Sequence, residues 1–182
     1  FDGFNNKYLS YVKRLTKFLN ELKINIFIIP LEGKAQITEN NLKKITLYLK
    51  KISQICSKNK IKYFLIESNV GFEVFNKIKK NLKKEKLYFL YDLGNRVNQY
   101  PDLYKDILNF GRNIKQIHMK DKNNKNENVV IGKGNVNFDI AFKAIKKLQK
   151  NNLSFVFENN RGNNAFLSAK KNFNFLNSYL KK

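Results

Sequence analysis

The chain has 182 residues, with 36 basic against 14 acidic side chains and a net charge of +22. That length suits one domain with a sizeable core, and no stretch approaches the roughly 18 apolar residues of a membrane span. The single cysteine, Cys56, excludes an internal disulfide and suits a reducing cytoplasm. The chain opens on Phe1 instead of Met, so the expectation is a fragment or a processed product.

In chain order, a helical stripe comes first, with Tyr11, Leu15, Phe18 and Leu22 at helical spacing. An apolar run, Ile24 to Ile29 (INIFII), follows and reads as a strand. The cluster Thr38-Glu39-Asn40-Asn41 opens a helix carrying Leu42, Ile45, Leu49 and Ile52. Then come the run Tyr63 to Ile66 (YFLI), a helix marked by Phe75, Ile78 and Leu82, and the run Leu87 to Tyr91 (LYFLY). Tyr100-Pro101-Asp102 starts a helix with Leu103, Ile107 and Phe110. The run Ile114 to Met119 (IKQIHM) leads into Lys122 to Asn128, an asparagine-rich segment predicted as a solvated, mobile loop. A helix with Phe138, Ala141, Ile145 and Leu148 precedes the run Leu153 to Phe157 (LSFVF). A last helix spans Ala165 to Leu180.

The order is one helix followed by five βα units. Strict alternation predicts a parallel sheet with right-handed crossovers. The runs are nearly continuous in hydrophobicity, as in strands buried on both faces. No Pro/Gly-rich linker and no charge step interrupts the chain, so residues 1–182 read as a single domain.

The charge reads as compositional. Lys and Asn make up about a third of the chain, and Ile and Phe are abundant; A/T-rich codons produce this bias. Only four arginines are present, although Arg is the favoured residue for bidentate phosphate and base contacts. The partners expected are therefore no specific nucleic acid and no membrane. An anionic sugar phosphate would be drawn by the same field.

Four of the five runs end in a residue able to ligate a metal. Glu67 follows YFLI, Asp92 follows LYFLY, His118 falls near the end of IKQIHM and Glu158 follows LSFVF. In a parallel barrel all strand C-termini share one face, where active sites lie. Three carboxylates and one imidazole converging there would suit a single divalent ion, Mn²⁺, Mg²⁺, Co²⁺ or Zn²⁺. Ile131-Gly132-Lys133-Gly134-Asn135-Val136 adds a tight turn before a helix. No dinucleotide fingerprint, P-loop, Cys-X-X-Cys pair or nucleophile elbow is present.

At these motifs the chain resembles the xylose isomerase-like TIM barrel superfamily, in its sugar (phosphate) isomerase/epimerase branch. The resemblance rests on IES (Ile66 to Ser68), YDLGN (Tyr91 to Asn95), IHMKD (Ile117 to Asp121), IGKGNVNF (Ile131 to Phe138) and FENNRG (Phe157 to Gly162). It covers about residues 20–182. It implies an α/β, TIM (β/α)₈-type barrel that is partial, with about five of eight βα units present and the N-terminal units missing. INIFII would then be an apolar edge strand, and such an edge predicts self-association into a homo-oligomer.

The resemblance further implies that Glu67, Asp92, His118 and Glu158 are metal ligands, and that Glu67 and Glu158 are paired acid/base residues. Asn95 falls where many epimerases place a substrate-binding His. Lys120 and Asp121 are implied substrate-binding or supporting groups, and Arg161 a partner for a substrate anion. The implied activity is that of a divalent-metal-dependent isomerase or epimerase of a small sugar or sugar phosphate, cytoplasmic, working through a cis-enediolate. The alternatives are a non-catalytic or truncated barrel that binds a sugar or a partner, and a DNA-repair enzyme of the endonuclease IV type. That last family resembles a multi-histidine trinuclear zinc site, and this chain has one histidine.

Overall fold

The computed structural model describes residues 6–83, 85–148, 152–158 and 163–181. Its elements are α1 (Asn6–Glu21), β1 (Ile26–Leu31), α2 (Leu42–Lys58), β2 (Tyr63–Ser68), α3 (Phe72–Leu82), β3 (Tyr88–Asp92), α4 (Leu93–Val97), α5 (Leu103–Phe110), β4 (Ile114–Met119), α6 (Phe138–Lys147), β5 (Ser154–Phe157) and α7 (Ala165–Leu180). The five strands form one sheet in the order β1-β2-β3-β4-β5. The β1/β2, β2/β3 and β4/β5 pairings are parallel. Sequential order with a helix between neighbours is how part of a (β/α) barrel is built.

The chain divides into two compact units, residues 1–90 and 91–182, and the boundary falls inside β3. In the first unit, Ile45, Leu49, Ile52 and Cys56 of α2 pack with Phe64, Leu65 and Ile66 of β2 and Phe75, Ile78 and Leu82 of α3 as its core, all of them buried. Burial pushes the Cys56 thiol up to about 12, so it behaves as a small apolar side chain. The α1 stripe behaves differently. Tyr11, Leu15, Phe18 and Leu22 remain about half exposed, and only Thr16 of that helix is buried. Thr16 is held by Asn59, whose Nδ2 donates to its Oγ1 at 2.7 Å. An apolar groove of about 1080 Å³ runs between α1 and residues Ile29, Lys34, Ala35 and Ile52.

In the second unit, Leu103, Ile107 and Phe110 of α5 and Phe138, Ala141, Phe142 and Ile145 of α6 cover β4 residues Ile114, Ile117 and Met119, and all are buried. Helix starts follow the capping rule. Asp92, Asp102, Asn137 and Asn164 each accept a backbone N–H from three residues on, at the N-termini of α4, α5, α6 and α7. Gly111 ends α5 at φ +49°, where a side chain would be strained.

Some boundaries differ from the sequence expectation. β1 lies two residues later than INIFII and takes in Pro30, which an end strand tolerates because it needs no donor there. Glu67 lies inside β2, one residue before its end. α4, a single turn after β3, had no periodic signal. The segment Lys122 to Asn128 is also more ordered than predicted. Asn123 Oδ1 accepts from the backbone of Lys125 and Glu127 at 2.9 and 3.0 Å. Asn135 Nδ2 donates to Asn98 Oδ1 and Asn124 Oδ1 at 2.8 and 2.7 Å. The asparagines supply the loop's own turn bonds.

Candidate metal centre

The C-terminal ends of β3, β4 and β5 bring Asp92, His118 and Glu158 together. His118 Nδ1 lies 2.8 Å from Glu158 Oε2 and 3.6 Å from Asp92 Oδ2. β-Strand alternation explains the spacing. His118 and Lys120, two residues apart, emerge toward the same carboxylates. Lys120 Nζ lies 2.8 Å from Asp92 Oδ2 and 2.9 Å from Glu158 Oε2. Asp92 is 2% exposed and Lys120 6%, while Glu158 is open to solvent.

Asp92 is held by its neighbours. Its Oδ1 accepts the Asn95 N–H at 2.8 Å, which caps α4. Its Oδ2 is buried and close to the Lys120 ammonium, yet the contact lacks the direction of a hydrogen bond. Burial works to raise the Asp92 carboxyl, but His118 and Lys120 outweigh it and hold it below the ordinary range. Burial likewise works to lower Lys120. Asp92 and Glu158 outweigh it and hold the ammonium above its ordinary range.

Glu67 comes from β2. In the β2/β3 register it stands opposite Leu90, two residues before Asp92 on the same strand. Within residues 91–182, Asp92, His118 and Glu158 form a cluster that could hold a metal ion, each offering one ligand atom. The donor set fits such an ion. It combines carboxylate oxygens with one imidazole nitrogen, and it contains a buried carboxylate oxygen with no directed hydrogen bond.

The other sequence-predicted residues separate. Asn95 sits half-buried in α4 and meets the cluster through its backbone N–H. Lys120 is at the cluster. Asp121, expected as a substrate-binding or supporting group, is fully buried with its carboxylate turned into the loop that follows. Its Oδ2 accepts from Gly132 and Gly134 at 2.9 and 2.8 Å, and its Oδ1 from Val136 at 3.1 Å. Three backbone donors occupy it, so its place is to hold the Gly-X-Gly turn. A Cβ on Gly134 would overlap that carboxylate, which is why the turn needs glycine. Arg161 lies outside the described residues.

Two residues at the site were not singled out from the sequence. Gly94 leaves room for the Lys120 stem, since a Cβ there would come within 2.8 Å of Lys120 Cγ. Gln116 contacts the far ring nitrogen of His118 at 3.3 Å. The period-2 pattern that puts Gln116 on the His118 face was the signal available for it.

No protein-family model matches the sequence, and no curated relative matches it. Solved structures do match. A xylose isomerase-like TIM barrel protein from Mycobacterium smegmatis, in complex with magnesium, superposes with TM-score 0.71 at 12% identity, over 95% of this chain and 67% of its own. The fold is that of a xylose isomerase-like TIM barrel. The probable 3-DHS dehydratase AsbF from Bacillus anthracis shares it with TM-score 0.75 at 15% identity, over 94% of this chain and 70% of its own. D-Psicose 3-epimerase from Clostridium cellulolyticum H10 shares it with TM-score 0.67 at 14% identity, over 83% and 55%. The chain spans 55% to 70% of the length of the solved structures it matches. Five parallel strands alternating with helices are consistent with part of a barrel. No helix among the described residues is long and apolar enough to cross a membrane.

Proposed function

We propose that residues 1–182 belong to one barrel domain of a divalent-metal-dependent isomerase or epimerase acting on a small sugar or sugar phosphate. The observation that carries this reading is the strand-end cluster, in which Asp92, His118 and Glu158 converge within ion-pair distance around a buried carboxylate oxygen. Similar barrels that are epimerases, and one solved with magnesium, support it.

Glu67, Asp92, His118 and Glu158 would hold the ion. When bound, such an ion polarises a carbonyl and acidifies the neighbouring C–H. The remaining chemistry belongs to the chain. One of Glu67 and Glu158 removes the proton next to the carbonyl, giving a cis-enediolate. The other returns a proton to the opposite face for epimerisation, or to the neighbouring carbon for isomerisation. Lys120, with its ammonium at the cluster, addresses the negative oxygen that develops on the substrate. Asn95 and Arg161 are assigned to the substrate side. A cytoplasmic enzyme fits the single buried cysteine.

The test is calorimetry followed by exchange. The chain should take up about one Mn²⁺. With a ketose or ketose phosphate, the C–H beside the carbonyl should exchange with solvent deuterium. Glu67→Gln and Glu158→Gln should each slow turnover at least about 10²-fold. An ion bound with no exchange for any substrate favours the barrel that binds without turnover. Self-association stays part of this reading, because β1 ends the sheet and α1 exposes its apolar stripe. Size exclusion should show a species larger than one chain, and a single-chain species removes that expectation.

A further inference from the structure

Each ring nitrogen of His118 faces a different kind of neighbour. Nδ1 faces the carboxylates of Glu158 and Asp92. Nε2 faces the Gln116 amide at 3.3 Å. Gln116 is itself buried, at 7% exposed. It pairs in register with Ser154 of β5, and the Ser154 hydroxyl reaches Gln116 Oε1 at 3.4 Å and the Lys115 carbonyl at 3.3 Å.

A ring with one proton has one donor and one acceptor. With the proton on Nδ1, the ring turns its N–H toward the Glu158 carboxylate, 2.8 Å away. Nε2 then accepts from the Gln116 amide nitrogen, and Gln116 Oε1 accepts from Ser154. The heavy-atom distances at Gln116 fit this arrangement. An ion at the carboxylates needs the Nδ1 lone pair, so the ring proton must sit on Nε2. Facing an amide N–H, that proton would meet another donor. Turning the Gln116 amide over, which leaves its shape unchanged, removes the conflict. Oε1 then accepts from Nε2–H, the amide nitrogen donates to Ser154 Oγ, and the Ser154 proton goes to the Lys115 carbonyl. Every group keeps a partner in both arrangements.

We propose that Gln116, backed by Ser154, is a positioning residue that lets His118 exchange its ring proton between Nδ1 and Nε2, and so present a lone pair to a metal ion. The proposal rests on the metal reading given above. An amide can serve both arrangements because it carries a donor and an acceptor. A carboxylate serves only the arrangement with Nε2–H, and a leucine serves neither.

The experiment uses the absence of any second histidine in the sequence. In uniformly ¹⁵N-labelled chain, a long-range ¹H–¹⁵N spectrum contains one imidazole. At a pH where the ring carries one proton, the ion-free chain should show protonated Nδ1. Added Zn²⁺, which is diamagnetic, should move the proton to Nε2. Gln116→Leu should weaken Zn²⁺ binding about 10- to 100-fold in calorimetry, the usual loss for a residue that orients a ligating imidazole. Gln116→Glu should keep Zn²⁺ affinity within about tenfold of wild type, with Nε2 already protonated before the ion is added. Ser154→Ala leaves the β4 side chains intact and should give a smaller loss, so an unfolded Gln116→Leu does not end the test. Equal Zn²⁺ affinity in wild type and Gln116→Leu overturns the proposal. So does a ring proton that stays on the same nitrogen with and without Zn²⁺. A wild-type chain that takes up no Zn²⁺ overturns the metal reading itself, a different outcome from loss of the Gln116 effect alone.

Discussion

Two buried charge clusters lie in residues 91–182, and they are built on opposite principles. Around Arg96, each hydrogen bond has an answer. Arg96 Nε and Nη2 donate to the two oxygens of Asp106 at 2.7 and 3.0 Å, and the Tyr91 hydroxyl donates to Asp106 Oδ2 at 2.6 Å. The guanidinium lies 4.1 Å from the centre of the Tyr100 ring and 4.8 Å from that of Phe110. Burial works to lower Arg96, and Asp106 outweighs it. Around His118, by contrast, one ammonium is shared by two carboxylates and a buried oxygen has no directed bond. Asp106 is matched to its own cation, whereas Asp92 is part of a set that exceeds its cations. The first pattern is what packing selects, and the second is what the proposed ligand site would retain against stability.

The largest effects should fall on the matched cluster. Asp106→Ala leaves a guanidinium buried without its carboxylate and should cost about 3–5 kcal/mol, the usual range for breaking a buried pair from one side. Asp92→Asn keeps an oxygen to cap α4 and should change stability by about 1 kcal/mol or less. Urea midpoints of the two variants check this. Equal losses would erase the distinction between the clusters.

Metal affinity should reverse that order. His118→Ala and Asp92→Ala should each weaken Mn²⁺ binding by more than about 100-fold, above the loss expected for an outer partner. Asp106→Ala, wherever it remains folded, should leave it unchanged. Isothermal titration separates the three. A next-smaller change belongs to Lys120, whose ammonium lies beside the same two carboxylate oxygens that an ion would use. Lys120→Met removes a like charge and should tighten Mn²⁺ binding about tenfold at low salt. Weaker binding in that variant would mean that the ammonium helps to shape the ion's site.

The comparison also shows what the chain makes legible. Hydrophobic runs located all five strands, because residues buried on both faces leave an uninterrupted apolar trace in the sequence. Ligand-type residues at strand ends located Asp92, His118 and Glu158, because a parallel sheet gathers those ends by construction. What the chain hid depends on contacts between distant segments. In HMKD, alternation places Lys120 on the His118 side and Asp121 on the other, but it does not show that Asp121 is taken up by three loop N–H groups. The donors that hold Asp121 come from Gly132 and Gly134, ten or more residues later. Alternation puts Gln116 on the His118 face, but its partner Ser154 appears only when β4 and β5 are paired. The α1 stripe shows the same limit from the other side. Its periodicity specifies a helix with an apolar face, but the face stays half exposed here.

The smallest expected effect, and the one that sharpens the contrast most, is in pH. Asp92 is held below its ordinary range, so its contribution to stability is complete above about pH 4 and fades as pH falls toward its folded value. Lys120 is held above its ordinary range. Its contribution is complete below about pH 10.4 and fades as pH rises through its folded value. Wild type minus Lys120→Met, measured as the difference in urea midpoint, should therefore be widest across the middle of the scale and shrink at both ends. The Arg96 guanidinium adds no alkaline limb, because it keeps its proton throughout that range, whereas the Tyr91 hydroxyl, held above its ordinary range by burial and Asp106, loses its contribution as pH rises past about 10. Burial holds Tyr91 up with or without the Asp106 charge, so wild type and Asp106→Asn share that loss and their difference should stay level where the Lys120 difference is falling. If the Lys120 difference is level as well, its ammonium gains nothing from Asp92 and Glu158 that water would not supply, and the cluster around His118 is held together by packing alone.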